Sequence, residues 1–167
     1  MRFALCFAAA ALLAAGCSSM ARLDVVVQLD VEQIKESGTV PTVEVNIIGI
    51  NDAELPQWQG YSIDQYWTAE DKLRRGADKV IMKFGETSKI VQMLKKDGAV
   101  WDSWAEKTAC HLYVVADIPG VSGKAGSDGR LLILPLDPKA WNRDRITITI
   151  KAGGITCTPS PKMVEKR

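Results

Sequence analysis

The chain is poor in histidine and has almost no excess charge. His111 is its single histidine, and 21 basic residues face 20 acidic ones. It contains no CxxC and no HxxxH, and zinc sites draw three or four ligands from His, Cys and carboxylates, so no metal motif is evident and no cofactor is implied. No serine stands in G-x-S-x-G, and any serine nucleophile would have to share the one histidine or use a lysine. "GVSGKAG" fails as a phosphate loop, because Ile118 stands where the first glycine belongs and Ala125 where a magnesium-binding Ser or Thr belongs. Without a polybasic stripe or an aromatic-interleaved basic patch, nucleic-acid binding is disfavoured and no nucleic-acid partner is expected, since such affinity rests largely on phosphate neutralisation. The sequence therefore reads as non-catalytic. His111, within "ACHLYVV", reads by default as a hydrogen-bonded sheet residue.

No long hydrophobic span is present either. The apolar run Phe3–Ala15 is thirteen residues long, and a bilayer-crossing helix needs roughly 20. A short basic start, an apolar stretch and small residues at its end describe a secretory signal peptide. Its close, Leu13-Ala14-Ala15-Gly16-Cys17, resembles the lipobox of bacterial lipoproteins. A core helix ending at Gly-Cys would need charge, length, position and motif to coincide. The resemblance implies cleavage before Cys17, with Cys17 carrying the lipid; two or more acyl chains anchor stably. Ser18 follows the cysteine, which by the same resemblance directs the protein to the periplasmic face of the outer membrane. Removal of residues 1–16 takes away Arg2 and leaves the mature chain neutral.

Of four cysteines, Cys6 leaves with the leader and Cys17 takes the lipid. Cys110 and Cys157 remain in an oxidising compartment, where they are a candidate disulfide. The alternative is two independently buried small residues.

The mature chain amounts to one domain. Leu23, Val25, Val27, Leu29 and Val31 alternate with Asp24, Val26, Gln28 and Asp30, the period of a half-buried strand. "TVEVNIIGI", "KVIMKFG", "ACHLYVVADIP", "LLILPLD" and "RITITIKA" also read as strands, and "GITC" as a possible last one. "NDAELPQW" reads as a turn. A short helix is expected after Thr68, closed at Gly76, and a second over "TSKIVQMLKKDG" with a further helical turn in "AVWDSWAEK". The expected class is mainly β: a β-sandwich with one or two short helical insertions. The boundaries are a tether over 17–22, a sandwich over 23–157 and a flexible tail over 158–167. Five tryptophans lie outside the best strands. Trp101 and Trp104, on one helical face, are either a pair for stacking a small ligand or cell-wall glycan or cover for the sandwich core.

"VPTVEVNIIGIND", "IDQYWTAEDKLRR", "CHLYVVADIPG" and "ITITIKAGGIT" resemble, in order, segments of the TssJ lipoproteins of type VI secretion systems. That resemblance implies a transthyretin-like (immunoglobulin-like) sandwich without activity. It also implies docking to the periplasmic domain of the inner-membrane protein TssM through the loop after the first strand. Here that loop is Glu32 to Pro41, with Glu32, Gln33, Lys35, Glu36, Ser37, Gly38 and Thr39 as candidate contacts. The helix "TSKIVQMLKKDGAVWDSWAEK" and a glycine-rich loop depart from the family pattern.

Overall fold

The computed structural model describes residues 20–30, 40–85 and 89–163. Cys17, the candidate contacts Glu32 to Thr39 and the last four residues lie outside the described residues.

Two four-stranded sheets face each other across one apolar core. The first has β1 (Asp24–Leu29), β4 (Val91–Leu94), β7 (Arg145–Lys151) and β8 (Gly154–Thr158) in the order β4-β1-β7-β8. Its β1–β7 pair is parallel; the others are antiparallel. The second has β2 (Val43–Ile50), β3 (Lys79–Phe84), β5 (His111–Asp117) and β6 (Leu131–Pro135) in the order β3-β2-β5-β6, all antiparallel. The period-two pattern of β1 and β7 becomes a buried face of Val25, Val27, Leu29, Ile146, Ile148 and Ile150. It meets Val43, Val45, Ile47, Leu112, Val114 and Ala116 from the second sheet. Each such valine, leucine or isoleucine contributes about 1.5–3 kcal/mol when fully buried.

β2 and β5 are buried on both faces, which explains their near-continuous apolar sequences. Three short helices cover the outer face of the second sheet: α1 (Leu55–Gln59), α2 (Ile63–Tyr66) and α3 (Lys72–Gly76). Beneath them Ile48, Ile50, Tyr113 and Val115 form a second core with Trp58, Ile63 and Tyr66. α4 (Val100–Glu106) closes one end of the sandwich. The helical insertions are short, as expected, and number four among the described residues. Two of them, α1 and α2, are unexpected; α1 occupies "NDAELPQW", where Asn51 and Glu54 exchange hydrogen bonds: Asn51 N donates to Glu54 Oε2 at 3.0 Å and Glu54 N to Asn51 Oδ1 at 2.9 Å. α3 is capped by Asp71, whose Oδ1 accepts from Arg74 N at 2.6 Å, so the helix starts one turn later than Thr68.

The expected helix over "TSKIVQMLKKDG" is replaced over its middle by β4. Its Ile90, Val91 and Leu94 offered barely one turn of helical spacing, too little to offset helix nucleation. Pairing with β1 instead satisfies the open side of that strand, in the register Val25↔Leu94 to Gln28↔Val91.

The strand directions define two ends. At one end the chain enters β1 through Met20–Leu23, β2 stops, β5 starts, β6 stops and β7 starts. Ala21 N donates to Leu136 O (2.7 Å), Leu136 N to Cys110 O (2.8 Å) and Cys110 N to Ile50 O (2.9 Å), so these segments lie side by side. At the other end lie Asp30 and Val40, which flank the β1–β2 connection, and the glycine-rich β5–β6 loop. That loop is tied to β8 by Ile155 N donating to Gly129 O at 2.8 Å. Gly154, with φ of 149°, approaches so closely that a Cβ there would stand 2.4 Å from Gly129 O, hence glycine. The same loop is locked to α2 by Arg130, buried with Asp128. Its Nη2 reaches Asp128 Oδ2 and Asp64 Oδ1, each at 2.6 Å, and its Nε donates to Asp128 Oδ1 at 2.9 Å.

Candidate functional site

The entry end carries the groups that could act. Ala21 and Leu23 are buried, and Arg22 Nη2 meets Asp102 Oδ1 at 2.7 Å. Asp24 accepts from Lys96 N at 2.9 Å and from Arg145 Nη2 at 3.2 Å, and Lys96 Nζ pairs with Asp144. The Lys96 amide, chiefly, holds the Asp24 carboxyl below its ordinary value. These contacts fasten the first residues of the domain to the sandwich instead of leaving them as free tether.

Trp101 and Trp104 lie together, as their spacing on one helical face implies, with ring centroids 5.0 Å apart at 82°. Both are 0 % exposed. Trp101 Nε1 donates to Lys95 O at 2.8 Å and Trp104 Nε1 to Asp78 O at 3.2 Å. Neither offers a face on which a ligand could stack, so the glycan-stacking expectation is corrected: the pair plugs the end of the core. Trp58 and Trp141 are buried as well. Trp141 Nε1, like those of Trp101 and Trp104, finds a backbone carbonyl, donating to Pro135 O at 2.8 Å, whereas Trp58 packs in the second core on the outer face of the second sheet.

Cys110 and Cys157 do not form the expected disulfide; both are thiols. Cys110 immediately precedes β5 in the second sheet, whereas Cys157 belongs to β8, the edge strand of the first, opposite Ile148. Burial pushes the Cys157 thiol up to about 11, and its Sγ lies 3.6 Å from Pro159 O.

What Cys110 does have nearby is His111 and Asp52. His111 Nε2 lies 2.9 Å from Asp52 Oδ1, and one ligand atom from each of Asp52, Cys110 and His111 lies within 4.8 Å of the others. His111 is therefore hydrogen-bonded, as a sheet histidine should be, but its partner is an acid 59 positions away in sequence. The register Ile50↔His111 is responsible: pairing β2 with β5 places the residues just after one strand beside those just before the other. Sequence reasoning missed this trio. The usable signal was that the two most apolar strands, once paired antiparallel, bring "IND" and "ACH" to the same end.

No family model and no curated protein matches the chain. Among solved structures it is similar to Serratia marcescens Lip, described as a membrane bound component of the type VI secretion system. That similarity has 15 % identity and a TM-score of 0.47, and covers 88 % of this chain and 100 % of Lip. It is also similar to the type VI secretion lipoprotein TssJ1 from Pseudomonas aeruginosa, with 11 % identity and a TM-score of 0.43. There too 88 % of this chain and 100 % of the other are covered. Among the described residues, no helix is long and apolar enough to cross a membrane.

Proposed function

We propose that this chain is a non-catalytic lipoprotein, anchored by acylated Cys17 to the periplasmic face of the outer membrane. There it docks a periplasmic protein as a TssJ-like component of a type VI secretion membrane complex. The supporting observation is the placement of the two ends. Cys17 stands four residues before Ala21, which is hydrogen-bonded into the sandwich. At roughly 3.3–3.6 Å per extended residue, four residues reach at most about 14 Å, so a lipid on Cys17 keeps the entry end close to the bilayer. The segment holding the candidate contacts Glu32 to Thr39 leaves β1 at Asp30 and rejoins at Val40, at the opposite end. β1, six residues long, separates the two ends by about 20 Å. In this orientation Asp30 and Val40, which flank the contact segment, lie at the end away from the membrane, the side of an inner-membrane partner such as TssM.

Two variants test the reading. Cys17→Ser is expected to leave the domain folded, to abolish palmitate labelling and to shift the protein out of the outer-membrane fraction. A Cys17→Ser protein that still sediments with outer membranes after a salt wash refutes the anchor. The paired charge reversal Glu32→Lys and Glu36→Lys is expected to leave labelling intact and to abolish co-purification with the TssM periplasmic domain. Unchanged capture refutes the docking segment, and lack of capture by the unaltered protein refutes the partner.

A further inference from the structure

We propose that Asp52, Cys110 and His111 form a binding site for a borderline divalent cation of the zinc type, at the entry end of the sandwich. The three side chains supply a carboxylate oxygen, a thiolate sulfur and an imidazole nitrogen, the donor set such ions select over magnesium or calcium. Their atoms converge instead of lying in a line. A nucleophile–histidine–acid relay places hydrogen bonds of about 2.6–3.2 Å on both sides of the imidazole. That separates nucleophile from acid by the whole ring as well as both bonds. Here sulfur, nitrogen and oxygen all lie within 4.8 Å of one another. Bonds of about 2.0–2.3 Å to a tetrahedral zinc place donor atoms about 3.4–3.8 Å apart. The trio therefore needs to draw in by no more than about 1.5 Å.

The donors are carried on held backbone. Cys110 is fixed between strands by its N donating to Ile50 O at 2.9 Å and its O accepting from Leu136 N at 2.8 Å. His111 opens β5 in register with Ile50 and Pro135. The Asp52 turn is braced by the reciprocal Asn51–Glu54 hydrogen bonds, and Asn51 Nδ2 donates to Lys107 O at 3.3 Å. This is outer support of the kind that orients ligands. Asp52 is exposed while Cys110 and His111 are half-buried, so the site opens to solvent on the Asp52 side, leaving a fourth position for water. The ion would join the end of β2 to the start of β5, and Cys110 would act in a metal clip, not in the disulfide expected from its sequence. The site is independent of the lipid anchor.

The test uses the full chain in detergent, reduced and stripped of metal, titrated with Co²⁺ and then with Zn²⁺ as competitor. One equivalent of Co²⁺ is expected to give a thiolate-to-cobalt charge-transfer band that Zn²⁺ removes, and Zn²⁺ is expected to raise the melting temperature. Cys110→Ser and His111→Gln should lose the band and the thermal shift, whereas Cys157→Ser should keep both. Asn51→Ala keeps the donors but loosens the turn, and should weaken affinity by about 10–100-fold. Circular dichroism of each metal-free variant establishes that it is folded. Absence of the band in the full chain, its survival in Cys110→Ser, or its loss in Cys157→Ser overturns the proposal.

Discussion

Gly49→Ala adds one methyl group and tests how tightly Trp104 closes the end of the core against β2. A Cβ at Gly49 would lie 2.5 Å from Trp104 Cγ, 2.7 Å from Cδ2 and 2.9 Å from Cβ. Neither side can yield cheaply. Gly49 sits in β2, opposite Leu112 of β5 and next to Ile48, the last residue of β2 paired with β3. Trp104 is fully buried, edge-on to Trp101 and tied to Asp78 O. Removing a glycine from a strand lowers unfolded-state entropy and is worth about 0.5–1 kcal/mol in favour of the variant. Forcing a methyl group into a packed core costs about 1–3 kcal/mol or more. The expected net is a loss of about 1–2 kcal/mol, which for a domain of this size lowers the melting temperature by about 2–8 °C. Thermal melts and urea midpoints with an unchanged m-value are the assay. Trp104→Leu makes room for the methyl group, so the double variant should be less destabilised than the sum of the singles, by about 0.5–3 kcal/mol. A Gly49→Ala protein that melts at or above the parent temperature, or a double variant that is simply additive, would falsify this account of the Gly49–Trp104 contact.

Arg130→Met should be among the most destabilising single changes, costing about 3–5 kcal/mol by urea unfolding, because it strands the buried Asp128 carboxylate; a cost under 1 kcal/mol refutes the pairing. The Arg130 hydrogen bonds hold Asp128 below the ordinary carboxylate value. The pair therefore stabilises the fold above the unfolded carboxylate pKa of about 3.9 and loses that contribution as pH falls below it. Stability curves should accordingly converge toward acid, and parallel curves for parent and variant contradict the assignment. Burial raises the Cys157 thiol from 9.0 to about 11, so its thiolate at neutral pH is about a hundredfold scarcer. In a Cys110→Ser background with Cys17 acylated, alkylation of Cys157 should be correspondingly slow until denaturant is added; fast native labelling rules this out.

Much of the sandwich can be read locally. In β1 and β7 the alternation of Val and Ile with Asp, Gln, Thr and Arg states both the strand and its inward face. Where two faces are buried the period disappears, and "VEVNIIGI" and "HLYVVAD" show only that they are strands, not that helices cover one side. The helices themselves are four to seven residues long, so their sequences carry little periodicity. Their positions follow from the outer face of β2 and β5, which needs cover. β4 was misread for the converse reason. "IVQML" is compatible with a turn of helix or a short strand, and what decides is the unpaired side of β1, more than sixty residues earlier.

The same distinction separates the proposed lipobox from the Asp52–Cys110–His111 trio. A lipobox is a contiguous motif, so the resemblance is displayed in the five adjacent residues Leu13 to Cys17. A convergent site has no such obligation. Cys110 and His111 are neighbours that strict strand alternation would send to opposite faces. They share a site because Cys110 lies just outside β5, where alternation no longer applies. Asp52 joins them only through the β2–β5 register. A slip of one residue in that register would turn His111 to the other face of the sheet. The burial of Ile47, Leu112 and Val114 on the inner face and of Ile48, Tyr113 and Val115 on the outer one forbids that slip. The core packing that explains the fold is therefore also what holds the three donors together.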